Sequence, residues 1–237
     1  MDDRTGQDAG IALLTMAPAP LRRAVESRMR SLRAQKGRTI IGVGARAGDV
    51  FFVTQGQVQV LLYSRDGREV SVRNLDAGEL FGDLAALDGL PRSASVIALS
   101  EVRLRVMSRD DFIALVEGSP EAGGWMARRL TAEVRRLTER VFELSALNVR
   151  SRLHCELLRL AREGGSTVRS MKPAPTHAEL ANRIGSHREA VTREMRALAD
   201  MNIIRNTRRS LEFLDLPELE RMVCRAVGEV GEGAGAR

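Results

Sequence analysis
The sequence holds two cysteines, Cys155 and Cys224, too few and too far apart for a disulfide framework or a zinc site. It has no run of about 18 apolar residues, so no helical membrane span is indicated. The opening MDDRTGQDAG is acidic and polar and lacks the basic and apolar regions of a secretory signal, so a cytoplasmic protein is expected. Lysine occurs only at Lys36 and Lys172, leaving nearly all the positive charge to arginine. Histidine is confined to His154, His177 and His187, and no metal site is expected.

What is present is unevenly distributed. The 237 residues suffice for two ordinary domains, and the net charge is +6. Residues 148–210 carry 12 Arg and 1 Lys against 5 Glu and 1 Asp, a net of +7, so the rest of the chain sums to −1. The whole basic excess therefore sits in one C-terminal segment, which points to an anionic partner there.

The hydrophobic period changes twice. Residues 1–19 read as loosely ordered, and PLRRAVESRMRSL (Pro20–Leu32) as a short helix. From Arg38 to Met107 the period is two. Val58, Val60 and Leu62 share one face, Asp66-Gly67 marks a hairpin turn, and VRLRVM alternates Val102, Leu104 and Val106. Glycines punctuate these short runs, as in a small antiparallel roll or barrel. Leu130, Val134, Leu137, Val141 and Leu144 then follow 4-3-4-3 spacing, with Arg128, Arg129, Arg135, Arg136, Glu139 and Arg140 around them. A seam this narrow fits two helices side by side, hence a homodimer; a helix lying on the roll is the alternative.

Asn148 is placed to cap the next helix, whose stop is Gly164-Gly165; SMKPAP reads as a linker and VGEVGEGAGAR as a disordered tail. Two apolar stripes follow, Leu180/Ile184 and Val191/Met195/Leu198, separated by Gly185: a helix-turn-helix. IIRNTRRSLEFL adds a hairpin wing with Arg205, Arg208 and Arg209. Arg188, Glu189, Thr192, Arg193 and Arg196 fall away from the second apolar stripe. Arginine donates two bonds to guanine O6 and N7, and a glutamate among phosphates is favourable only where it reads a donor such as cytosine N4. A solvated face of Arg–Glu pairs is the alternative.

GSHREAVTREM is similar to the recognition-helix signature of the Crp–Fnr superfamily, and the resemblance extends over about residues 35–214. It implies an α+β chain: an N-terminal cyclic-nucleotide-binding β-roll (jelly-roll-like, 1–118), a long dimerisation helix (119–147), a winged helix-turn-helix (148–224) and a tail (225–237). It implies base reading by Arg188, Glu189 and Arg193 at palindromic TGTGA-like half-sites, and backbone contacts by Thr176, Ser186 and His187. Thr192 and Arg208 complete the expected DNA-contacting set.

FGDLAALDGLPRSA (Phe81–Ala94) resembles the phosphate-binding cassette of cyclic-nucleotide domains. Gly82 and the turn after it offer amides, and Arg92 a two-pronged guanidinium, to a cyclic phosphate. Asp83, where the family's binders carry Glu, would accept from the ribose hydroxyl, and Ser93 would add a hydroxyl. Leu84 and Ala94 complete the loop. On the long helix, Leu137 and Thr138 align with the positions that reach the base and the partner subunit. The effector implied is cAMP or cGMP, bound non-covalently, with another ligand or none as the alternative. Double-stranded DNA, a second copy and RNA polymerase are the implied partners. No cysteine precedes Cys155 and no histidine precedes His154, against an iron–sulfur or haem sensor. Residues 149–237 show no Walker loop, nucleophile elbow or carboxylate–histidine cluster, so an enzyme carrying a regulatory nucleotide domain is not expected. An adaptor that binds no DNA is the remaining alternative, and the basic C-terminal segment argues against it.

Overall fold
The computed structural model describes residues 12–63, 69–162, 170–207 and 209–228, and the chain divides into two compact units, Met1–Val134 and Arg135–Arg237. The Asp66-Gly67 turn, the Gly164-Gly165 stop and Arg208 lie outside the described residues, as does the tail from residue 229.

In the first unit, α1 (Ala12–Thr15) and α2 (Ala19–Arg28) precede the strands β1 (Arg30–Ala34), β2 (Thr39–Ile41), β3 (Val50–Gln55), β4 (Val58–Tyr63), β5 (Glu69–Leu75) and β6 (Leu80–Phe81). After α3 (Asp83–Asp88) come β7 (Ser95–Ala98), β8 (Val102–Met107), α4 (Arg109–Gly118) and α5 (Pro120–Ala146), which continues into the second unit. The strands form two antiparallel sheets, β1-β8-β3-β6 and β2-β7-β4-β5.

Alternation places two cores. Phe51 and Val53 of β3 join Val58, Leu75, Val96, Val102, Leu104 and Val106 in a cluster drawn from both sheets. Val50 and Phe52, on the other face of β3, pack with Phe112, Leu115, Ala122 and Met126 of the helices. A strand buried on both faces reads as the continuous run VFFV rather than as an alternation.

Several expectations are corrected here. The helix expected over Pro20–Leu32 ends at Arg28 as α2, and Arg30–Ala34 pairs with β8 over five positions, so long-range pairing overrides the local helical pattern. Leu13 and Leu14, in the segment read as loose, are buried members of the helix-side core. Leu62 does not share a face with Val58: a bulge between Val60 and Leu61 turns Leu61 inward and leaves Leu62 exposed.

The second unit holds the rest of α5, then α6 (Val149–Arg162), β9 (Ser170–Met171), α7 (His177–Ile184), α8 (Arg188–Asp200), β10 (Ile204–Asn206), β11 (Leu211–Phe213) and α9 (Leu216–Val227). The Asn148 side chain accepts from the Ser151 amide at 2.9 Å, the cap its position suggested. SMKPAP is not only a linker, because Ser170–Met171 pairs with β11 to complete the sheet β10-β11-β9. α9 runs past Arg225, where the tail was expected to begin. Leu153, Leu157, Leu180, Ile184, Val191 and Leu198 form its core, each with no exposed surface. No helix among the described residues is long and apolar enough to cross a membrane.

Candidate ligand pocket and nucleic-acid interface
The cassette loop is built around one buried cation. β6 delivers Phe81, Gly82 turns the chain at φ 87°, and α3 begins at Asp83. A Cβ on residue 82 would lie 2.7 Å from Arg92 Nη1 and 2.8 Å from the Asp49 carbonyl, so the turn requires glycine twice over, by φ and by space. Arg92 is 5 % exposed; its Nη1 donates to the Gly82 carbonyl at 2.8 Å and its Nη2 to the Asp49 carbonyl at 2.6 Å. Its guanidinium stands 6.0 Å from the centre of the Phe51 ring, which stacks on Phe81. Burial pulls its pKa down from the ordinary arginine value, against the opposing fields of Asp49 and Asp83.

Those carboxylates face elsewhere. Asp49 pairs with Arg30 at 2.8 Å, and Asp83 is 3.5 Å from Nε of Arg129 on α5. Arg129 also donates from Nη2 to the Leu80 carbonyl at 2.7 Å, tying α5 to the start of β6 and to the start of α3. The heptad spacing sets Arg129 among the charges around the helix seam. The structure turns it onto the cassette instead, a contact with no local sequence signal. Leu84 and Ser93 are exposed and Ala94 is half-buried. The structure thus gathers Gly82, Asp83, Leu84, Arg92, Ser93 and Ala94 at one corner. Leu137 and Thr138 lie further along α5, in the second unit, both exposed. An open hollow of about 580 Å³ also adjoins this loop, lined by Arg46, Gly48, Leu90, Pro91 and Arg109 among others. Arg92 and Asp83 do not line it.

The seam on α5 divides. Leu130 packs against the helix-side core of the first unit, with Trp125 and Met126 before it. Beyond it, Val134 is 62 %, Leu137 41 %, Val141 63 %, Phe142 39 % and Leu144 45 % exposed. Phe142 was not anticipated, because it falls outside the heptad positions.

In the second unit, α7 opens with a capping box: Thr176 Oγ1 accepts from the Glu179 amide at 3.2 Å and Glu179 Oε2 accepts from the Thr176 amide at 2.6 Å. Gly185, at φ 61°, closes α7 and starts the turn into α8. Arg188, Glu189, Thr192 and Arg193 are exposed, as is His187, while Ser186 turns inward at 7 % exposure. The side chains of Arg188, Glu189, Thr192, Arg193 and Arg196 border one open hollow of about 450 Å³. None of the four charged ones is paired with another side chain among the described residues.

The contrast with the arginines behind it is instructive. Arg140 and Arg159 both hold Glu143, at 2.7 and 2.5 Å, Arg159 also holds Glu156, and Arg183 of α7 meets Glu156 at 2.9 Å. Glu143 and Glu156 are 8 % and 4 % exposed, so this relay ties the end of α5 through α6 to α7. Burial, with Glu143 beside it, pushes the Cys155 thiol up to about 11, an inert packed group rather than a nucleophile. No cluster of metal-ligating side chains occurs among the described residues. In the wing, Arg205 pairs across the strands with Glu212 at 3.0 Å, and Arg209 is exposed.

Comparison with known proteins agrees with both halves. Residues 31–119 match the model of the cyclic nucleotide-binding domain, and residues 151–222 that of the Crp-like helix-turn-helix domain. The chain is 31% identical over 210 residues to the cyclic AMP receptor protein of Thermus thermophilus, covering 87% of this chain and 94% of that one. It is 26% identical over 203 residues to a CRP-like cAMP-activated global transcriptional regulator of Mycobacterium tuberculosis, covering 84% and 90%. A solved CRP-family transcriptional regulator from Thermus thermophilus superposes with a TM-score of 0.66 at 26% identity, over 83% of this chain and 98% of its own.

Proposed function
The chain belongs to the Crp–Fnr superfamily of transcription regulators, and from that premise we propose that it is a homodimeric DNA-binding factor gated by a cyclic nucleotide. The observation that carries the ligand reading is Arg92, a buried guanidinium held by two carbonyls and, among the described residues, in a salt bridge with no carboxylate. A buried cation without a counter-ion is costly, and an arriving phosphate anion relieves that cost. The cyclic phosphate sits against Arg92 and the first amides of α3, which have no partner inside the helix. Asp83, one methylene shorter than the family's glutamate, reaches the ribose hydroxyl on leaving Arg129. The related proteins named for cAMP support a cyclic nucleotide as the class, and cAMP and cGMP are the two members to compare.

The second copy packs along Leu137, Val141 and Leu144, whose apolar surface is otherwise open to water. Two copies then present two α8 helices to the half-sites of a palindrome, with Arg188, Glu189 and Arg193 reading bases and the wing and His187 touching phosphates. RNA polymerase is the machinery such a factor addresses, and the cytoplasm is where it works.

Titration calorimetry of the full chain with cAMP and with cGMP tests the gate. Saturable heat with either one supports it, and no heat with both at millimolar concentration overturns it.

A further inference from the structure
Thr192 stands on the exposed face of α8, yet its hydroxyl is engaged from behind. Oγ1 donates to the Arg188 carbonyl one turn back at 2.8 Å and lies 2.8 Å from Nδ1 of His177, the first residue of α7. The other ring nitrogen, Nε2, lies 3.1 Å from Nδ2 of Asn206 in β10. An amide nitrogen only donates, so Nε2 accepts and the single ring proton sits on Nδ1, donating to Thr192. With the Asn206 amide reversed, Nδ1 would need the threonine proton that the Arg188 carbonyl already takes. The chain of bonds therefore runs one way, from wing to α7 to α8 backbone. Burial, and then the charge of Arg188, pull the His177 pKa below its usual value, which keeps the ring neutral at pH 7 as this chain requires.

The hydroxyl proton is thus unavailable to the acceptors of guanine or thymine, and one of its lone pairs is occupied. What Thr192 leaves for the major groove is its methyl group and one acceptor lone pair, with no donor, and the apolar feature of a major-groove edge is the thymine 5-methyl. We infer that Thr192 reads a thymine by methyl contact, and that His177 is the positioning residue that holds it in that orientation while tying the wing to α8. The inference rests on the DNA-reading face proposed above. Neither a helix-turn-helix nor a wing needs this histidine for its fold: Thr176 and Glu179 already cap α7, and β10 is already paired with β11.

The experiment selects preferred palindromes from randomised duplexes with the full chain, then replaces each thymine of the selected half-site by deoxyuridine. One methyl lost from an apolar contact corresponds to about fourfold in affinity per half-site. The wild type is expected to show that loss at one thymine, and Thr192→Val, which keeps the methyl and removes the hydroxyl, to show it there too. Thr192→Ser is expected to be indifferent to uracil at that base pair while keeping its order of preference elsewhere. His177→Ala should behave like Thr192→Ser, and His177→Asn, whose amide nitrogen can stand in for Nδ1, should restore the uracil penalty. A selected site whose thymines all tolerate uracil in the wild type overturns this inference alone, as does Thr192→Val relaxing the same base pair that Thr192→Ser relaxes. Selection of no sequence at all overturns the DNA-reading proposal and this inference with it.

Discussion

Replacing Arg92 by leucine removes the side chain around which the cassette is arranged, and its effects on the free and liganded protein should separate cleanly. Without ligand the guanidinium makes two bonds, to the Gly82 and Asp49 carbonyls, each worth about 1.5–3 kcal/mol because the donor is charged. Against that loss, leucine relieves a buried cation of the desolvation that already pulls its pKa down. The two contributions oppose, so the free protein should lose less than the sum of the two bonds, about 3–6 kcal/mol, and keep its fold. With nucleotide bound, the same change leaves a buried phosphate without its cation, at about 3–5 kcal/mol, or roughly a hundred- to several-thousand-fold in affinity. Denaturant unfolding measures the first effect and calorimetry the second. If Arg92→Leu bound nucleotide within about threefold of wild type, less than 1 kcal/mol, the buried arginine would not be the phosphate partner.

Three further outcomes follow from the same structure. Leu137→Asp with Val141→Asp sets two carboxylates per protomer in the proposed apolar seam and should give monomers by sedimentation; a persistent dimer would move the interface elsewhere. Glu189→Ala should relax preference at one base pair, by about 1–3 kcal/mol, and leave the order of the remaining positions intact in binding to half-site variants. Buried His154 donates from Nε2 to Glu194 at 2.7 Å, and burial outweighs that carboxylate in pulling its pKa below the usual 6.5. The unfolded chain therefore takes up this proton first as the pH falls, so His154 lowers stability below about pH 6.5 and not above it. Denaturant melts across that range should be flatter in His154→Gln, with His177 supplying part of the remaining slope; an unchanged slope would show that His154 titrates alike in both states.

The parts of the fold legible in the sequence are those where one local period decides the structure. Val102, Leu104 and Val106 alternate because β8 buries one face in the core shared by both sheets, and the stripes of α7 and α8 on either side of Gly185 share one core. β1 was missed because four of its five residues are exposed and only its pairing with β8 makes it a strand. Leu62 was misplaced because a bulge is invisible to a count of two. Among the candidate site residues, Gly82, Arg92, Arg188 and Glu189 were legible through motif spacing. Arg129, Asp49 and the chain through His177 were not, since each acts through a partner on a different element. The exposure of α5 was foreseen in its heptads, but Leu130 was not separable from them: it meets the first unit's own core, whereas Leu137, Val141 and Leu144 stay open.

In the proposed function a nucleotide at Arg92 changes how tightly the arginines and glutamate of α8 hold an operator. Fluorescence anisotropy of a labelled TGTGA palindrome, titrated with the full chain at fixed salt with and without saturating cAMP or cGMP, measures that coupling directly. A tighter operator complex is expected in the presence of one nucleotide, by at least about fivefold, with no comparable gain on a scrambled duplex. Equal affinity for the operator with and without both nucleotides would contradict it.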